Sequence, residues 1–236
     1  MTPFEGDTLK KMCLIRNHQG SHMSSGIVEN LVDKTMTATV LKEKVQRNHA
    51  LLPEVLAGVG SSKAAVRYGC SKVILELSRD SPELLYPHID LFVDLLDSKY
   101  RILTWKALAV IAQLTRVDTQ KKFDVIFEKY YSFLQNEYMV TVANVVGNSE
   151  VIAQAKPYLI PRITRELLKV SELKTGKHLT AECKLVIAEK TLESFDMIFD
   201  KVENKQEVLL LVKPWCTSRR KSLREKAQRF IQRWGE

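Results

Sequence analysis

An all-α fold, a right-handed α-α superhelix of five to six stacked helical hairpins, is what this 236-residue sequence predicts. Three observations carry the prediction. Val66, Cys70, Val73, Ile74 and Leu77 stand at i, i+4, i+7, i+8 and i+11, which is one face of a helix. The same spacing returns at Leu103, Ala107, Val110, Ile111 and Leu114, 37 residues after Val66, and again at Leu223, Ala227, Phe230, Ile231 and Trp234. A period of that length marks helical hairpins that bury their apolar faces by stacking on one another. Finally, glycines and prolines are few and no Asn-Gly or Asp-Gly pair occurs, so hairpin turns between strands lack their usual residues.

Residues 1–25 show no periodicity and read as a flexible tail; Gly20-Ser21-His22-Met23 matches a common cloning scar, so part of this segment is read as vector-derived. One repeat domain is expected over 26–236. Its first pair, over 26–47, is short and polar, as suits a terminal cap. HALLPEVLAGV then pairs with SKAAVRYGCSKVILELS, and SPELLYPHIDLFVDLLD with YRILTWKALAVIAQLT. Ser81 is a candidate N-cap with Pro82 at the first helical position. TQKKFDVIFEKYYSFLQ pairs with EYMVTVANVVGNSEVIAQA, whose Gly147 and consecutive Val140, Thr141 and Val142 oppose helix. PYLIPRITRELLKV pairs with TAECKLVIAEKTLESFDMIF, with Pro161 expected to kink the first helix or move its start. QEVLLLVKPWC pairs with RRKSLREKAQRFIQRW, and Pro214 should end the first of these near Lys213.

DSKYRILTWKALAVIAQLT resembles the second helix of a HEAT repeat, a family related to armadillo proteins. Asp97, Arg101 and Ala107 stand where that family has a turn acid, a basic residue and an alanine. SRRKSLREKAQRFIQRW is similar through Arg224 and Ala227 but lacks the turn aspartate. The resemblance covers roughly residues 48–236 and implies a solenoid whose second helices line a concave face. It implies a fold and not a function.

Composition narrows the function classes. The longest fully apolar run, Ala107 to Ala112, is far short of the roughly 20 residues of a membrane helix. No apolar stretch follows Lys10 and Lys11, so no signal peptide is read and a cytoplasmic location is expected. Cys13, Cys70, Cys183 and Cys216 are scattered and expected to be reduced. Cys13, His18 and His22 offer three zinc ligands without a fourth, so no metal is expected. No nucleophile elbow, phosphate-cradling glycine loop or His-Glu-x-x-His occurs, and neither an enzyme nor a cofactor is expected.

The candidate sites are therefore surfaces. At about 100° per residue, Arg101 and Trp105 fall opposite the core face of their helix. With Tyr68 one unit earlier and Asn144 and Asn148 one unit later, they form a candidate partner-binding stripe along the groove: rigid aromatics, a planar cation and adaptable amides. The net charge of +8 is concentrated at the C-terminal end, where Arg219, Arg220, Lys221, Arg224 and Lys226 form a candidate basic patch. A non-catalytic, monomeric scaffold holding a protein or peptide in its groove is the leading expectation. The alternative is nucleic-acid binding, weak and non-specific through the basic end. HEAT-like glycosylases that release alkylated bases carry a groove acid flanked by tryptophans. Trp105 and Glu137 suit that pattern, whereas Trp215 and Trp234 lie at the far end of the chain.

Overall fold

The computed structural model describes residues 26–235, so the tail reading at 1–25, with Cys13, His18 and His22, lies outside the described residues. Those residues are all-helical, with no strand among them. They cluster into two compact units, one ending at Val110 and one beginning at Ile111. The division falls inside the helix Arg101–Leu114.

In the N-terminal unit the long helix Ala64–Asp80 packs against Ala38–Arg47 and Leu52–Gly58. Its periodic face is the core: Val66, Cys70, Val73, Ile74 and Leu77 are all buried. Gly58 is required by the close approach of that face, since a Cβ there would lie 2.5 Å from Cys70 Sγ. Burial pushes the Cys70 thiol up to about 12, so it sits there as an inert apolar group. The first expected pair is only partly helical. Residues 26–37 give a short 3-10 turn, Ile27–Leu31, and the chain turns through Lys34 at φ 56° before Thr37 caps Ala38–Arg47. Ser81 holds the N-cap position, but its side chain makes no cap; Pro82 starts the helix and the Ser81 carbonyl accepts from Leu84 N–H at 3.1 Å.

The second helix of most pairs is entered through one repeated device. Ser61, Ser98, Asn136 and Ser218 each accept, on the side-chain oxygen, the backbone N–H two residues later, at 3.2, 3.1, 3.0 and 3.2 Å. Such turns fix the approach to a helix start. Six residues after the turn serine, Arg67 donates to the Ser61 carbonyl at 2.7 Å, and Arg224 does the same to Ser218 at 2.8 Å. Arg101 is only three residues past Ser98 and is exposed, while Thr104 fills the sixth place. Arg101 and Arg224 are thus not equivalent positions; Arg67 and Arg224 are.

The C-terminal unit continues through Lys122–Ser132, Met139–Ala155, Ile160–Leu168, Ala181–Ile198, Lys205–Val212 and Lys221–Trp234. Met139–Ala155 is one unbroken helix despite Gly147, because Val142, Val145, Val146 and Ile152 bury fully. It packs against Ala181–Ile198, which packs in turn against Lys221–Trp234. Ser194 Oγ donates to the Val146 carbonyl at 2.8 Å across the first of those contacts. Pro161 moves its helix start to Ile160, and Pro214 follows a helix that ends at Val212. Trp234, expected in the core, is half-buried: its ring lies 5.1 Å from Phe199 and its indole N–H donates to Asp196 at 2.8 Å.

Candidate functional site

The C-terminal unit carries a cleft of about 770 Å³. One wall is the end of Ile160–Leu168 with the 3-10 turn Lys169–Glu172. The floor is the first half of Ala181–Ile198, through Leu185 and Ala188. The other wall is Lys205–Val212 with the turn Lys213–Thr217. Its lining is mostly apolar: Leu168, Val170, Leu185, Leu211, Pro214 and Trp215. That is the size and character of a binding cleft.

Local sequence explains why the far wall is apolar. Residues 208–212 are five consecutive apolar residues, more than one helix face can bury. Val208 and Val212 are fully buried, Leu209 and Leu211 half-buried, and Leu210 is 60% exposed. Pro214 then turns the chain, and the 3-10 turn presents Trp215 to the cleft. Gln228 holds that turn from the last helix, donating to the Cys216 carbonyl at 3.1 Å. Among the described residues, the Trp215 indole N–H has no hydrogen-bond partner and its ring stacks on nothing. That N–H is not among the buried unpaired groups, so water reaches it at the cleft.

Charges sit at the edge. Lys169 is held by Glu166 at 2.7 Å. Arg165, Lys184, Glu172 and Glu207 are in no ion pair among the described residues.

The other face of Ile160–Leu168 is closed. Asp118 caps Lys122–Ser132, accepting from Lys122 N–H at 2.8 Å and Phe123 N–H at 3.0 Å. The buried Lys156 ammonium pairs with Asp118 at 2.9 Å and donates to the Tyr158 hydroxyl at 3.2 Å, which donates to Asp124 at 2.9 Å. Arg162 reaches Glu128 at 2.8 Å and covers the Phe127 ring at 4.0 Å. Burial alone would lower the Lys156 pKa; the Asp118 and Tyr158 hydrogen bonds and the Asp118 charge raise it, so it stays an ammonium.

The candidate stripe is split between the units. Tyr68, Arg101 and Trp105 belong to the first, Asn144 and Asn148 to the second. Tyr68 is half-buried beside the Arg67 guanidinium, and Arg101 and Trp105 each already make an interaction within the chain. Asn144 donates back to the Val140 carbonyl at 2.8 Å, and Asn148 hydrogen-bonds the buried Tyr130 hydroxyl. The two amides are thus engaged inside their own unit.

The basic end is largely paired. Arg219 lies 3.4 Å from Glu182, Arg220 2.7 Å from Glu189, and Lys221 3.7 Å from Glu225. Lys226 bridges Glu189, at 2.6 Å, and Glu193. Burial would raise the Glu189 carboxyl, but hydrogen bonds from Arg220, Lys226 and Ser222 hold it down to about 2. Arg219, Arg220 and Lys226 fasten the last helix and its entry to Ala181–Ile198, while Lys221 pairs within the last helix itself. Glu137 is exposed at the start of Met139–Ala155. Among the described residues, no group of three or more His, Cys, Asp or Glu is placed to hold a metal ion, and no helix is long and apolar enough to cross a membrane.

Sequence reasoning missed the cleft. Helix rotation marks the outward face of the second helices, whereas the cleft is walled by first helices. The signal was the apolar surplus at 208–212 followed by Pro214 and Trp215.

Compared with known proteins, the sequence matches no family model and no curated protein. Among solved structures it is similar to a crystal structure of an engineered protein, at 13% identity and a TM-score of 0.49 over 98% of this chain and 97% of that one.

Proposed function

We propose that this protein is a non-catalytic scaffold, a HEAT-like stack of helical hairpins that holds a protein partner, working in the cytoplasm. The observation that carries the reading is the open cleft of the C-terminal unit with its unpartnered Trp215. A large rigid aromatic in a ready-made apolar cleft concentrates binding energy at little entropic cost. The repeated turn at Ser61, Ser98, Asn136 and Ser218 supports a repeat architecture. The carboxylates beside Arg219, Arg220 and Lys226 lower the net positive field of the C-terminal end, which weighs against nucleic acid.

The test is photocrosslinking in cells from a reactive amino acid placed at Leu210, compared with one at Trp105. The expected result is a discrete protein adduct from position 210. An adduct only from position 105 would return the site to the stripe of Tyr68, Arg101 and Trp105. Adducts to nucleic acid, or none at either position, would overturn the scaffold reading.

A further inference from the structure

Building on the scaffold reading, we infer that the cleft takes one amphipathic helix from a partner protein, about two turns deep. Its apolar stripe seats on Trp215 and Leu210, and its flanks carry acid toward Arg165 and Lys184 and base toward Glu172 and Glu207.

Three features of the cleft select that occupant. The first is backbone satisfaction. No strand edge exists among the described residues, so an extended peptide would find no ladder for its N–H and C=O groups. Over a floor of Leu185 and Ala188, beside the Leu211 wall, those groups would be desolvated without partners. A helix satisfies its backbone internally and offers only side chains. The second is length. The wall Lys205–Val212 has eight residues, which at about 1.5 Å each gives roughly 12 Å, or two helical turns. That accommodates anchors at i, i+3 or i+4, and i+7, the usual reading of a helix in a groove.

The third is charge. Within this unit Lys156, Arg162, Lys190, Arg220 and Lys226 have carboxylate partners within 3 Å, while Lys174, Lys177, Lys201, Lys205, Lys213 and Arg229 are in no ion pair among the described residues; what sets the cleft charges apart is that both signs stand on the rim of one apolar cleft. At the cleft two cations and two carboxylates stand without ion pairs. A rim of both signs disfavours a polyanion, and it fits a helix with both signs along its flanks, which fixes orientation as well as partner.

The experiment is selection of a displayed random peptide library against the full chain, followed by titration of enriched peptides. Tryptophan fluorescence is read in a Trp105→Phe, Trp234→Phe background, so that Trp215 alone reports. The expected winners become helical on binding, carry apolar residues at i, i+3 or i+4, and i+7, and perturb Trp215. Trp215→Ala, read by the anisotropy of a labelled peptide because no tryptophan then remains to report, should weaken them at least tenfold with the helical circular dichroism unchanged. Arg165→Glu with Lys184→Glu should shift the selection toward basic peptides; should that pair fail to fold, Glu207→Lys, which should favour acidic ones, asks the same question. Winners that bind extended, binding indifferent to Trp215→Ala, or no enrichment would each overturn the inference. So would a concentration-dependent dimer abolished by Trp215→Ala, which makes a second copy the occupant. A crosslinked protein at Leu210 together with a failed selection would leave the scaffold reading standing and remove the helix.

Discussion

The helix Ile160–Leu168 has a different neighbour on each side, and the two sides were built differently. Toward Lys122–Ser132 the gap is closed by two rungs: Asp124 with Tyr158, and Glu128 with Arg162, each joining residues 34 apart. Behind them the buried Lys156 and Asp118 tie the helix entry to the neighbour's cap. Toward Lys205–Val212 there are no rungs. Where the closed side has acids answered by a tyrosine and an arginine, the far wall offers Leu210 and Leu211. Twelve residues, 169–180, connect Ile160–Leu168 onward, against six between Lys122–Ser132 and Met139–Ala155. One seam is spent on stability. The other leaves apolar area and charge unused, which is what a binding surface needs.

The largest expected effect breaks the closed side. Asp118→Ala removes the helix cap and leaves Lys156 buried with only Asp124, 3.6 Å away, as an acidic neighbour. Removing one partner of a buried pair costs about 3–5 kcal/mol. Urea denaturation should show a loss near the lower end, since Asp124 remains; a loss under about 1 kcal/mol would mean the closed side is not what holds this unit together. Asp118→Asn keeps an acceptor for only one of the Lys122 and Phe123 N–H groups, which meet different carboxylate oxygens, so it should cost less than Asp118→Ala without restoring the whole cap.

Next comes the backing of the cleft. Ala181–Ile198 turns Leu185 and Ala188 to the cleft and Glu189 and Glu193 to the last helix. Glu189 is held at about 2 against an ordinary 4.5, so its contribution is fully present above about 4.5 and drains away as pH falls from there toward 2. Glu193 shifts in the same direction. Glu150 shifts upward through burial and the Glu193 charge, and so works the other way. The melting temperature should therefore fall more steeply below pH 4.5 in the native protein than in Glu189→Gln. Parallel curves would show that the Arg220–Glu189–Lys226 network does not support the cleft floor.

The helices were legible in the sequence because each has a periodic face that must be buried. Even Met139–Ala155, with Gly147 and three consecutive β-branched residues, followed its apolar face rather than its local propensities. The Pro161 and Pro214 boundaries were legible because proline acts locally. The end 26–37 was not, since Val28 and Met36 are its buried apolar anchors and there is little period to read. Helix rotation says that Asn144 and Asn148 avoid the core face but not that Val140 and Tyr130 take their hydrogen bonds. The basic end looked like a patch because Glu182, Glu189 and Glu193 lie 31 to 38 residues from the cations they pair with. The cleft depends on which helix lies beside which, and no spacing within one helix encodes that.

The smallest expected effect is the sharpest test, because it uses two arginines on one helix. Arg162 faces the closed side, where it covers Phe127 and pairs with Glu128; Arg165 lies at the cleft in no ion pair. Arg162 is half-exposed, so its ion pair is worth at most about 1 kcal/mol, and its stacking on the ring adds about 0.5–1. Arg162→Ala should therefore cost about 1 kcal/mol in urea and leave peptide binding untouched. Arg165→Ala should stay within about 0.5 kcal/mol of the native protein, the usual range for a surface site without partners. Yet it should weaken the selected peptides severalfold, because the helix then loses the charge its acidic flank meets. If the two substitutions cost the same stability and neither touches binding, the two sides of the helix do not differ in the way the ion pairs indicate. If Arg165→Ala alone destabilises, the cleft charges are structural, and the occupant has to be sought through Trp215 and Leu210 only.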